Sequence, residues 1–181
     1  ACLTETLGLL LPGGASPTSG SGDRLRNAVA SGRTAVQLAH SPVRPSEILT
    51  RPAFENALKV LVALGGSTNT IVHLMAIARR AGINLDMDDL QEASDRIPLL
   101  VDCKPSGSLY MEDFHKSGGL PVLMKSLESE LDPAPINIER RTVTERLSDV
   151  DPPGEWQSVI RTLESPLGGT GSLTTLRGSL A

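Results

Sequence analysis

The chain has 181 residues, enough for one domain that buries roughly 70% of the surface its unfolded form exposes. Hydrophobic residues at 39% and charged residues at 21% exclude a disordered chain, and aromatics at 2% leave the core to Leu, Val, Ile, Ala and Met. A net charge of −4, with basic residues scattered, gives no steering to nucleic acid or to an anionic membrane, and no apolar run reaches the ~18–20 residues that span a bilayer.

The opening "ACLTETLGLLLPGG" reads as the second half of a helix that reaches Leu11 and is ended by Pro12, Gly13 and Gly14. It has neither Met nor a signal-peptide pattern, and "GSLTTLRGSLA" at the other end stops inside a strand-like run. Both ends read as cuts through a larger protein. Residues 11–23 are turn-rich and read as a surface loop. Asp23 caps a helix over 23–40 whose apolar positions are Leu25, Val29, Val36 and Leu38. "SPVRPSEILT" breaks it with two prolines. Thr50 is the N-cap of a helix over 51–64, with Pro52 in its first turn and Phe54, Leu58, Leu61 and Val62 facing inward.

Gly65 and Gly66 stop that helix, and Ser67 or Thr68 caps the next, which carries Ile71, Val72, Leu74, Met75 and Ile77 and ends at Gly82. Asp86 caps a short helix in "LDMDDLQEASDRI". "IPLLVDC", residues 97–103, is a continuous apolar run ended by "KPSG" and reads as a buried parallel strand. "MEDFHKSGGLPVLMKSLESEL" reads as two helices divided by Gly118 and Gly119, with a further short helix around 144–147. "SVIRTLESPLGGTGSLTTLRGSLA" holds two extended pieces. The expected fold is a helix-rich α/β or α+β piece whose helices cover a sheet supplied partly by chain beyond it.

Four stretches carry candidate chemistry. In "GGSTN", Gly65, Gly66, Ser67, Thr68 and Asn69 let backbone approach a ligand beside a helix N-terminus, which suits an anion. The stretch also fits a plain helix–helix corner with a Ser/Thr cap, and it is neither a Walker pattern nor a dinucleotide fingerprint. "KPSG" puts Lys104 and Ser106 at the carboxyl end of the strand candidate, where α/β sheets gather ligands; an ordinary turn reads equally well. Glu112, Asp113, His115 and Lys116 in "MEDFHK" fit half a metal site, an acid/base pair or a charged first turn. His73 lies on an apolar helix and reads as a satisfied core or interface residue. Cys2 and Cys103 form no metal or disulfide spacing and read as small buried apolar residues in a reducing compartment, cytoplasm or organelle matrix.

Six motifs in order, "CLTETLGLLLPG", "ILTRPAFENA", "ALGGSTNTIVHLMAIARRAGI", "IPLLVDCKPSG", "MEDFHKSGGLPVLM" and "GGTGSLTTLRGSLA", resemble the dihydroxy-acid dehydratase / phosphogluconate dehydratase family over nearly the whole chain. The resemblance is thinnest over 132–156. It implies a fragment: residues 1–165 as part of a large N-terminal α/β domain, and 166–181 as a linker and first strand towards a β-barrel-like C-terminal domain. It implies a hydro-lyase that turns 2,3-dihydroxy acids or sugar acids into 2-keto acids. Mg²⁺ would stabilise the enolate, and an iron of an iron–sulfur cluster would act as Lewis acid on the leaving hydroxyl. It places Gly65 to Asn69 in the substrate or cluster pocket, and Lys104 and Ser106 are carried as pocket-lining candidates from their place after the strand candidate.

The resemblance puts the cluster cysteines upstream of Ala1, and the Mg²⁺ carboxylates and the base upstream or in the C-terminal domain. Cys2 and Cys103 match no ligand position, so no catalytic residue or metal ligand is expected in this chain, and it is expected to be inactive and cofactor-free alone. A homodimer follows from the family. "LPGGASPTSGSGDRLR", "RPSEILTRPAFENA" and "HKSGGLPVLM" lean towards the sugar-acid branch, whereas "CLTETLGL" and "KPSG" suit both. The competing reading is a degenerate, non-catalytic interaction or subunit-interface module derived from that family.

Overall fold

The computed structural model describes residues 1–179. Nine α-helices are formed among them: α1 (Cys2–Thr6), α2 (Gly22–His40), α3 (Pro45–Ile48), α4 (Arg51–Leu64), α5 (Asn69–Arg80), α6 (Met87–Arg96), α7 (Met111–Lys116), α8 (Gly119–Ser126) and α9 (Val143–Leu147).

The core is built around α4. Thr50 enters it in an extended conformation, Pro52 pre-sets its first turn, and Ala53, Phe54, Ala57, Leu58, Val60, Leu61, Val62 and Ala63 are buried. The helix is enclosed by α1, α6 and α8. Each large apolar side chain buried there contributes about 1.5–3 kcal/mol. The polar Asn56 is 1% exposed and paired on both sides of its amide, which donates to the Asp132 carbonyl at 2.9 Å and accepts from the Asp132 N–H at 2.8 Å. Asp86 caps α6, its carboxylate accepting from the Asp88 and Asp89 N–H groups.

Several expectations give way to specific physical causes. α1 ends at Thr6, not Leu11, because Gly8 turns to φ 89° and a Cβ there would lie 2.6 Å from the Ile136 carbonyl oxygen. The loop at 11–23 is not wholly on the surface: Gly14, Ala15, Ser16 and Pro17 are buried. The Glu5 carboxylate holds it inside by accepting the N–H groups of Gly13 (2.7 Å) and Ala15 (2.8 Å). The apolar positions foreseen on α2 do not pack. Leu25, Val29 and Val36 are 68%, 56% and 61% exposed, and the helix buries no residue. On α5, Leu74 and Ala78 are buried, but Val72 and Ile77 are exposed.

The run at 97–103 is extended and buried, yet it joins no sheet among the described residues. Two of its donors go to a helix end, the N–H groups of Leu100 and Val101 both reaching the Ala63 carbonyl at 2.9 and 3.2 Å, while Leu99 donates to the Thr170 carbonyl and Asp102 to the Val159 carbonyl, each at 3.0 Å. Only isolated bridges remain, Val101 with Ile160 and Cys103 with Leu109. The segment after residue 166 spends its donors similarly, Gly171 on the Ser94 carbonyl and Ser172 on the Val62 carbonyl. Residues 180–181, the last of the expected terminal strand, lie outside the described residues.

Candidate functional site

Two of the sequence motifs meet at the carboxyl end of α4. Gly65 caps the helix at φ 75°, a left-handed conformation that glycine adopts without strain. The chain then turns into α5, with the Ser67 hydroxyl accepting the Asn69 N–H at 3.3 Å; Thr68 occupies the cap position without a side-chain cap bond. From the other side comes the loop after residues 97–103. Its Ser106 hydroxyl donates to the Gly65 carbonyl at 3.1 Å. The approach is close, since a Cβ on Gly65 would lie 2.8 Å from that of Ser106.

The corner borders a cavity of about 400 Å³. Gly65, Gly66, Ser67 and Lys104 line it, together with Thr70 and His73 of α5 and the first residues of α1. Leu61, Leu64, Leu74, Ile77, Pro105 and Met111 make much of the wall apolar. The start of α5 faces it through Thr70, with Ser67 just ahead of the helix, so the positive end of that helix contributes to the local field. Of the candidate residues, Thr68 and Asn69 are exposed and do not line this cavity, and Ser106 fixes the corner from behind.

Sequence spacing missed the sulfur side of the cavity. Cys2 and Cys103 are separated by a hundred positions, but both line it, and the Cys103 sulfur sits 3.8 Å from that of Met111. Both thiols are buried. Burial pushes the Cys2 thiol up to about 11 and raises Cys103 as well, so both stay protonated near neutrality. This donor set does not fit an iron–sulfur cluster, which needs thiolates in greater number. Among the described residues no group of three or more His, Cys, Asp or Glu is placed to hold a metal ion.

"MEDFHK" forms α7, a short helix that buries Phe114 and carries charged side chains on its outer face. Lys116 pairs with Glu112 at 2.8 Å, both exposed. His115 does something its sequence context does not reveal: Nδ1 lies 2.9 Å from the Ser16 hydroxyl and Nε2 3.4 Å from the Asp23 carboxylate. The three residue types match a hydrolytic triad, but Ser16 is 6% exposed and none of the three lines the corner cavity. The array is a clasp between the 11–23 loop and α7. His73, expected to be satisfied in a core or interface, is exposed on the cavity rim.

The family model for the N-terminal part of dihydroxy-acid/6-phosphogluconate dehydratases matches residues 1–146. The chain belongs to this family. It is 44% identical over 183 aligned residues to a dihydroxy-acid dehydratase of Acidothermus cellulolyticus, covering 100% of this chain and 33% of that protein. It is 40% identical to a mitochondrial dihydroxy-acid dehydratase of Schizosaccharomyces pombe, covering all of this chain and 31% of the relative. A mitochondrial relative of the same name from Aspergillus fumigatus is 43% identical, with 30% of its length covered. The chain thus spans about a third of the length of the curated relatives it matches. No helix among the described residues is long and apolar enough to cross a membrane.

Proposed function

We propose that this chain forms part of a hydro-lyase that dehydrates 2,3-dihydroxy carboxylic acids or sugar acids to 2-keto acids, and that the corner cavity helps to hold the substrate. The family match over residues 1–146 is the observation that carries this reading. In such a reaction the Cα–H bond and the Cβ–OH bond break, water leaves, and the enol tautomerises to the 2-keto acid. Within it, this chain's residues bind and orient. Gly65 to Asn69 shape the backbone corner, Lys104 supplies positive charge, and the apolar wall from Leu61, Leu64 and Ile77 excludes water.

The reading includes an iron–sulfur cluster and Mg²⁺ for the whole enzyme, held, as the family resemblance implies, by residues outside these 181. It also includes a larger N-terminal α/β domain to which residues 1–165 contribute, followed by a β-barrel-like domain after 166–181. It extends to a homodimer in a reducing compartment, cytoplasm or organelle matrix. The two free thiols, Cys2 and Cys103, support the last point. The test is to isolate the natural protein with an antibody to this segment and supply a panel of 2,3-dihydroxy acids and aldonates. Formation of 2-keto acid is expected, with none from the 181-residue chain alone; a natural product inert to the whole panel would sink the reading.

A further inference from the structure

The chain has four lysines, and three of them are occupied by acceptors of the protein. Lys116 pairs with Glu112, Lys125 pairs with Glu128, and Lys59 donates to the Glu130 carbonyl at 2.7 Å. Lys104 differs. It enters none of the ion pairs among the described residues. Its ammonium instead lies 4.0 Å from the centre of the Tyr110 ring and 2.7 Å from the Tyr110 hydroxyl, and Lys104 itself is one of the residues that line the corner cavity. An aromatic face and a neutral hydroxyl restrain a lysine without neutralising it. The side chain is held in place while its charge stays free for an anion.

The loop that carries Lys104 is itself closed by a carboxylate. Asp102 accepts the Ser108 N–H at 2.6 Å and the Ser108 hydroxyl at 2.9 Å. The Lys104 N–H donates to the Leu109 carbonyl at 2.9 Å, and Ser106 anchors the far side on Gly65. Asp102 therefore fixes both ends of the turn, and Ser106 sets its distance from α4.

We infer that Lys104 binds the carboxylate of a small 2-hydroxy acid at the cavity rim, with Asp102 and Ser106 as positioning residues that hold the loop in register. This rests on the hydro-lyase reading for the identity of the anion, while the geometry of an unpaired, pre-positioned cation on a cavity stands without it.

The test titrates the natural protein that carries this segment, and its variants, with D-glycerate, its neutral amide and inorganic phosphate, following backbone amide shifts at 65–67 and 104–108 by NMR. Glycerate is expected to shift these amides and its amide to leave them in place. K104M should weaken glycerate binding at least tenfold, with the rest of the spectrum unchanged, and K116M should leave it as it was. D102A should weaken binding several-fold, and D102N, which keeps an acceptor for the Ser108 N–H, should restore most of it. Equal binding by K104M and wild type, or no glycerate shift in the wild type, would overturn the inference. Phosphate bound as tightly as glycerate would overturn the assignment to a carboxylate. Formation of 2-keto acid by the natural protein is a separate readout, so the hydro-lyase reading and the Lys104 site can each fail while the other stands.

Discussion

Replacing Gly65 with alanine separates the two demands placed on that residue. The first is conformational: at φ 75° an L-residue costs about 1–2 kcal/mol. The second is steric. The new Cβ would stand 2.8 Å from the Ser106 Cβ and 3.2 Å from a Leu99 methyl, and relieving such an overlap costs roughly 1–3 kcal/mol. The sum is about 2–5 kcal/mol. Gly82 supplies the control, because it sits at φ 78° with nothing within 4 Å of its would-be Cβ. G82A should therefore carry only the conformational cost, about 1–2 kcal/mol.

Urea denaturation followed by circular dichroism gives both values, and the difference between them measures how tightly the "GGSTN" corner is pressed against "KPSG". The S106G background sharpens the test. Without the Ser106 Cβ the closest contact vanishes, so G65A should cost less there than in wild type, with a coupling of about 1 kcal/mol or more. Equal losses for G65A and G82A, or no coupling to S106G, would refute the close approach of the two motifs.

Two further outcomes follow from burial. Burial is the largest influence on Glu5 and raises its carboxyl above the ordinary 4.5, opposed by the Gly13 and Ala15 N–H groups and by Arg146. A raised folded value means that the native state holds the proton longer, so this group makes stability fall as pH rises from about 4.5 through the raised value. E5Q should remove that part of the slope in denaturation curves taken from pH 4.5 upwards; an unchanged slope would assign it to other groups. On α2, L25Q and V36Q should each shift stability by less than about 0.5 kcal/mol, whereas F54A in α4 should cost about 3–5 kcal/mol. A loss above 1 kcal/mol from either α2 change would mean that the exposed stripe is covered.

Where local chemistry decides a boundary, the sequence sufficed. Arg51–Leu64 was readable from Thr50, Pro52 and Gly65, and α6 from Asp86, because caps and helix stops act within a few residues. Burial on α4 was equally plain, since its apolar residues cover nearly every face. α2 failed for the opposite reason. Periodicity reports that Leu25, Val29 and Val36 share a stripe, but it carries no information on whether anything lies against it. The apolar run at 97–103 failed at the level of hydrogen bonding. Its hydrophobicity announced burial correctly, but burial does not say who accepts its N–H groups, and the Ala63 carbonyl at the end of α4 competes for two of them.

That competition also explains the candidate site. By tying residues 100 and 101 to the end of α4, the chain delivers the following loop to the same helix end where Gly65 turns the backbone. A strand in a ladder would have left "KPSG" at a sheet edge, at a distance from α4 that the sheet would dictate. Here one carbonyl, Ala63, and the next turn, Gly65, receive consecutive parts of one segment, at 2.9 Å for Leu100 and 3.1 Å for Ser106. The two motifs lie some forty positions apart, and no spacing rule joins them. Each was legible alone as a glycine corner and a turn; their juxtaposition depends on a long-range pairing of a helix end with an extended segment, which is set by packing around α4 and not by local propensity.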